Sequence, residues 1–209
     1  MALEFRPELA DELGLVAVGG DLRPATLLRA YRAGVFPWYN ENEPILWWSP
    51  DPRAIFELDH FSLSRRLART IRAGKFRMTI NTAFADVMHG CADRERTWIT
   101  SDMFQAYTRL HQLGYAHSIE AWHGNKLVGG VYGVAVGGFF AGESMFHRER
   151  DASKVALAYL LEYLQLRGFV LFDTQVATEH TARMGAVEIS RDEYLARLKR
   201  ALDAKASFV

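Results

Sequence analysis

A single cysteine, Cys91, leaves this 209-residue chain no partner for an intramolecular disulfide. That excludes the small disulfide-stapled folds and leads us to expect a reducing, cytoplasmic setting. No run of 18 apolar residues occurs, so no membrane-spanning segment is expected. Met1-Ala-Leu-Glu-Phe-Arg-Pro lacks the basic segment and apolar stretch of a signal peptide. Neither sign of charge dominates: 25 Lys+Arg face 25 Asp+Glu, which excludes a globally basic nucleic-acid binder but not a local basic patch. There is no GxxxxGK[ST] and no GxGxxG. The seven histidines are dispersed, His117, Glu120 and His123 form no known ligand spacing, and one cysteine argues against structural zinc. Neither a metal nor a cofactor is expected.

What the chain has is an ordinary globular balance, 49% apolar and 24% charged residues. Residues 1–60 read as a small N-terminal domain: an extended run Gly14–Gly20, a helix from Pro24 to Tyr31 stopped by Gly34, then aromatic loops around Phe36–Tyr39 and Trp47–Arg53. Residues 61–209 read as a second domain of mixed elements. Helices are expected over Ser62–Ala73, from a Thr82 cap to about Gly90, and from a Ser101 cap to Leu113. A strand is expected at Phe76–Ile80 and a meander through Ala116–Trp122, Leu127–Val136 and Phe139–Phe146. An apolar helix after Asp151, a strand Phe169–Phe172, a helix Thr178–Met184 and a last helix behind a Ser190–Glu193 capping box complete the pattern. The fold class is α+β, with a mixed, mostly antiparallel sheet.

Four features carry chemistry. From Ser62 to Ala85 there are six basic residues and no acidic one. At helical spacing Arg69 and Arg72 fall within about 40° of Arg65, with Leu63, Leu67 and Ile71 opposite. This is either a solvated helix face or a surface for RNA phosphates. Trp38, Tyr39, Trp47, Trp48 and Trp98 sit at loop-like positions, where rings serve either a core or a platform for bases. Glu143, amid Phe139, Phe140, Met145 and Phe146, needs a partner or a task. Asp173 closes an apolar strand and shares a face with Gln175; it either caps a turn, pairs with an arginine or serves catalysis.

In order along the chain these pieces include Val18-Gly-Gly-Asp-Leu22, Gly34-Val-Phe-Pro-Trp38, Ile45-Leu-Trp-Trp-Ser-Pro-Asp-Pro-Arg53 and Thr97-Trp-Ile-Thr100. They continue with His117-Ser-Ile-Glu120, Val128-Gly-Gly-Val-Tyr-Gly133, Gly142-Glu-Ser-Met-Phe146, Ala152-Ser-Lys154 and Asp173-Thr-Gln175. Taken together, the sequence from Gly14 to about Leu198 resembles the leucyl/phenylalanyl-tRNA–protein transferase family. That resemblance implies an acetyltransferase-like (GNAT) C-terminal domain. It also implies transfer of Leu, Phe or Met from aminoacyl-tRNA to the α-amine of proteins beginning with Arg or Lys, marking them for degradation. It places the terminal adenosine on Trp38, Trp98 and Tyr107, and the acceptor stem on Arg65, Arg69 and Arg72. The amino-acid pocket is expected at Val131, Phe140, Ser144, Leu157, Leu160 and Phe172. Asp173 and Gln175 match the catalytic pair, Asp173 accepting the amine proton or acting electrostatically. Glu143 is expected beside the cationic side chain of the acceptor. A monomer is expected. Two alternatives stand beside this reading: a non-catalytic tRNA or single-strand RNA binder, and another GNAT-fold acyltransferase, against which the glycine-free His147-Arg-Glu-Arg-Asp151 speaks.

Overall fold

The computed structural model describes residues 3–61 and 63–209. In chain order it forms β1 (Leu15–Val18), α1 (Pro24–Arg32), β2 (Phe36–Pro37), β3 (Leu46–Trp48) and β4 (Arg53–Phe56). Then come α2 (Arg65–Arg72), β5 (Arg77–Ile80), α3 (Phe84–Ala92), α4 (Ser101–Gln112), β6 (Ala116–His123) and β7 (Lys126–Val136). The chain closes with β8 (Phe139–His147), α5 (Ala152–Leu166), β9 (Leu171–Gln175), α6 (Glu179–Arg183), β10 (Val187–Ile189) and α7 (Arg191–Asp203). The architecture is mixed α+β, as expected. A seven-stranded sheet runs β10-β4-β9-β8-β7-β6-β5, and a three-stranded one runs β1-β3-β2. Among the described residues only the β8–β9 pair is parallel.

Strand β7 shows why the large sheet is covered on both faces. Tyr132, Val134 and Val136 point into one core, with Leu27, Tyr31, Val87, Tyr107 and Leu198. Val131 and Ala135 point into the other, with Val155, Leu157, Leu161 and Leu164 of α5. The period of two in the sequence therefore becomes two packed layers. Gly129 and Gly130 let those layers approach. A Cβ on Gly129 would lie 2.7 Å from the Ala152 Cβ of α5, and one on Gly130 2.9 Å from a Val87 methyl of α3.

Several local expectations are corrected. Within the aromatic stretches expected as loops, Phe36–Pro37, Trp47–Trp48 and Arg53 fall in strands β2, β3 and β4 while residues 38–39 and 49–52 are irregular, and Trp47 is buried with its indole N–H donating to the Gly19 carbonyl at 2.8 Å. Strand β4, placed above in the N-terminal unit, lies inside the large sheet, paired with β9 and β10. Thr100, not Ser101, caps α4, accepting from the Met103 N–H at 3.2 Å. Thr82 does not cap α3; its hydroxyl turns back to the Ile80 carbonyl, and the Ala83 N–H donates to Glu120 instead. Glu120 is buried and also accepts from Thr79 and Ser118, so the His117–Glu120 segment anchors α3 rather than a ligand. On α2 only Leu67 of the apolar face is buried; Leu63 and Ile71 stay partly exposed. Ser62, expected in that helix, lies outside the described residues.

Candidate active site

The site lies where the parallel pair ends. Strands β8 and β9 are paired from Phe139–Leu171 to Ala141–Asp173 and no further. Beyond that point β8 supplies Glu143 and β9 supplies Gln175. Both line a cavity of about 470 Å³ and an adjoining cleft of about 240 Å³.

Glu143 is held by tyrosines from two helices. Tyr31 of α1 donates to Oε1 at 2.7 Å, and Tyr107 of α4 to Oε2 at 3.2 Å. The two phenol oxygens are also bonded to each other. The Gln175 amide donates to Oε1 at 3.3 Å. Burial pushes the Glu143 carboxyl up to about 7, against the hydrogen bonds that hold it down. Among the described residues it is the one carboxylate lining either cavity. A carboxyl that titrates near neutrality and opens onto a cavity is equipped to exchange protons.

Asp173 is placed differently. It is fully buried and lines neither cavity. Arg53 grips it in a fork, Nε to Oδ1 at 2.8 Å and Nη2 to Oδ2 at 2.6 Å. The Tyr194 hydroxyl donates to Oδ2 at 2.9 Å, and the Gln175 backbone N–H to Oδ1 at 2.8 Å. Each oxygen thus already accepts two bonds. The arginine partner left open by the sequence is Arg53, which also donates to the Gly34 carbonyl at 3.1 Å and lies over the rings of Tyr194 and Phe36. What the assembly fixes is Gln175, whose backbone sits at φ +60°, a left-handed conformation that costs a non-glycine residue energy and persists where neighbours enforce it. Both residues belong to β9, Asp173 bonded inside the core and Gln175 reaching Glu143 with its side-chain amide.

The apolar part of the larger cavity is lined by Phe56, Val131, Leu157 and Phe172, with Ser144 and Met145 beside them. Of the expected pocket, Val131, Ser144, Leu157 and Phe172 are brought together. Phe140 and Leu160 are buried one layer behind, Phe140 packing edge-on to Phe172 at 5.4 Å. Gly142 permits this, because a Cβ there would lie 2.6 Å from the Phe172 ring. The adjoining cleft is walled by Phe36, Pro37, Trp38 and Trp98. Trp38 is 49% exposed and is braced by the Trp48 indole, which donates to its carbonyl at 2.7 Å. Tyr107 lines neither cavity and reaches the site only through Glu143. Arg65, Arg69 and Arg72 are exposed along α2.

Arg53, Tyr31 and Tyr194 were missed in the sequence. For Arg53 a signal existed: a charge heading the apolar run Ala54-Ile-Phe56 demands a counter-charge once that strand is buried, as Asp173 does in its own strand. A tyrosine on an apolar helix face, such as Tyr31, carries no such mark.

Comparison with known proteins supplies first the class: the matched proteins are aminoacyltransferases, and so is this chain. More narrowly, the family model described as "Leucyl/phenylalanyl-tRNA protein transferase" matches residues 55–199, and that for the family's N-terminal domain matches residues 20–51; the chain belongs to this family. The leucyl/phenylalanyl-tRNA–protein transferase of Anaeromyxobacter sp. (strain Fw109-5) is 57% identical over 202 residues, 94% of this chain and 86% of that protein. The protein of that name from Solidesulfovibrio magneticus is 55% identical over 200 residues, 93% and 81% of the two chains. That from Enterobacter sp. (strain 638) is 56% identical over 192 residues, 91% and 82%. Among solved structures, L-PGS from Bacillus licheniformis is similar over 77% of this chain and 55% of that one, at 11% identity and TM-score 0.43.

Proposed function

We propose that the protein moves leucine or phenylalanine, and methionine as a third donor, from aminoacyl-tRNA to the α-amine of proteins beginning with Arg or Lys, in the cytoplasm and as a monomer. On this reading the large sheet is an acetyltransferase-like (GNAT) one. The observation that carries the proposal is Glu143, set between an apolar pocket and an aromatic cleft that share Trp98, Thr174 and Gln175. An aminoacyl-adenosine has the same layout: an apolar side chain, a base, and an ester between them.

The ester is already activated, so the chain has to position, deprotonate and stabilise. The acceptor α-amine has an ordinary pKa of about 7.7–8.0 and arrives largely protonated. That first proton is lost to solvent, and the free amine nitrogen attacks the ester carbonyl as the C–N bond forms. Glu143, near 7, takes the second proton from the nitrogen, and as the C–O bond to the ribose breaks it passes that proton to the ribose oxygen. The Gln175 side-chain amide donates toward this centre, and Asp173 acts through Gln175 as a positioning residue. Val131, Leu157 and Phe172 select the amino acid, where one methylene is worth about 1–3 kcal/mol. Trp38 and Trp98 stack the adenine.

The direct test is transfer of radiolabelled leucine from Leu-tRNA to peptides beginning with Arg, Lys or Ala. Product with Arg and Lys but not Ala is expected. No product despite measurable Leu-tRNA binding would leave a non-catalytic binder. The arginine face of α2 makes a second prediction. Three phosphate contacts on single-stranded RNA give a log–log salt slope of about −2. Replacing Arg65, Arg69 and Arg72 with Ala is expected to remove about that much of the slope in a filter-binding titration; an unchanged slope would take these arginines off the RNA.

A further inference from the structure

The aminoacyl-adenosine leaves one end of the larger cavity unused. There the lining turns polar: Ser153, His147, Thr181 and His180. Two polar groups at this end lack partners among the described residues. The His180 Nε2 is buried and unbonded. Ser153 is 3% exposed, lines the cavity, and its hydroxyl has no hydrogen-bond partner among the described residues. Lys154 and His147 are close enough to His180 to hold its imidazole below the ordinary range, an effect to which burial contributes most. Ser153 and Lys154 belong to the first turn of α5, which receives no side-chain cap and whose backbone N–H groups favour an anion. The nearest lining carboxylate, Glu143, lies at the opposite, junction side with Gln175. Lys154 disfavours a cationic acceptor side chain here and suits a phosphate, the Asp151 carboxylate at the head of α5 being engaged by Arg66.

The terminal ribose of a charged RNA has three exits: base, ester and 5′-phosphodiester. The aromatic cleft and the apolar pocket accommodate the first two. We infer that the polar end, through Ser153, Lys154 and His180, holds the phosphodiester joining the terminal adenosine to the rest of the RNA. This rests on the aminoacyl-tRNA reading above. The route onward is continuous, because Asp151 at the head of α5 is bonded to Arg66 of α2 at 3.1 Å. That contact ties the proposed phosphate site to the helix that displays Arg65, Arg69 and Arg72.

The experiment compares two donors with the same ester, leucyl-adenosine without a 5′-phosphate and a leucyl-CCA trinucleotide. Lys154→Ala is expected to raise KM for leucyl-CCA tenfold or more and for leucyl-adenosine less than threefold, and Ser153→Ala to act in the same direction. Binding of uncharged CCA, measured by calorimetry, is expected to weaken in parallel. Equal effects on both donors would overturn the inference. So would an effect confined to the acceptor's KM, which would give this end of the cavity to the polypeptide. If the wild type used neither donor, the underlying aminoacyl-transfer reading would fall, and this inference with it.

Discussion

Glu143→Gln is expected to slow leucine transfer by roughly 10²–10⁴, the usual worth of a positioned acid–base group, while the amide oxygen still accepts from one of the two tyrosines and the amide nitrogen donates to the hydroxyl of the other. The pH profile separates loss of a base from loss of shape. In the wild type Glu143 must enter unprotonated, so kcat/KM rises with pH through about 7 and again as the acceptor amine loses its own proton near 8. In the variant the lower limb disappears and only the amine's remains. Discrimination between Arg and Ala acceptors also narrows, because no other carboxylate among the described residues lines the cavities. Stability moves in the other direction. The carboxyl is raised from an ordinary 4.5 to about 7, so its contribution is fully present below about 4.5 and is lost as pH climbs to about 7. The neutral amide escapes that loss. The variant should therefore melt above the wild type at pH 8, with the gap closing at pH 5. A variant that keeps both the lower limb and its rate would remove Glu143 from proton transfer.

The glycine turns around Gly124 and at Gly137–Gly138 were enough to divide the largely apolar stretch from Ala116 to Phe146 into a meander, because β6, β7 and β8 are long. Strands of two to four residues such as β2, β3 and β4 are too short to show a period, and prolines at 37, 50 and 52 read as breakers. The hydroxyl caps slipped by one position at Thr100 because Thr and Ser cap equally well and stand side by side. At the site, residue types were legible but pairings were not. Arg53 and Asp173 each announce a buried charge, yet 120 residues separate them, and only strand order makes them neighbours. The same holds for Glu143. Its apolar surroundings showed that it needed partners, but Tyr31 and Tyr107 come from helices far apart in sequence that meet only when their shared core is assembled.

The Arg53–Asp173 pair yields the other large effect. Asp173→Ala or Arg53→Met leaves one buried charge without its partner, which costs about 3–5 kcal/mol. Either variant should melt well below the wild type and show little transfer. Such a result alone would not separate a catalytic strand held in place from a protein simply weakened. The double variant Arg53→Met, Asp173→Leu does. With both charges replaced by apolar side chains of similar volume, much of the lost stability returns, since a buried ion pair often contributes little over a packed hydrophobic pair. The Gln175 N–H, however, still lacks the Oδ1 that accepts it at 2.8 Å, and the left-handed backbone at φ +60° loses that restraint while keeping its pairing with Ala54 of β4. The Gln175 side chain then no longer reaches Glu143 at a fixed distance. We expect the double variant to melt within a few degrees of the wild type yet transfer leucine at least about 10²-fold more slowly, the loss falling on kcat rather than on KM for the donor, as misplacement of a reacting group predicts. Recovery of activity together with stability would show that the pair serves the fold alone, and that Asp173 does not position Gln175 for the reaction.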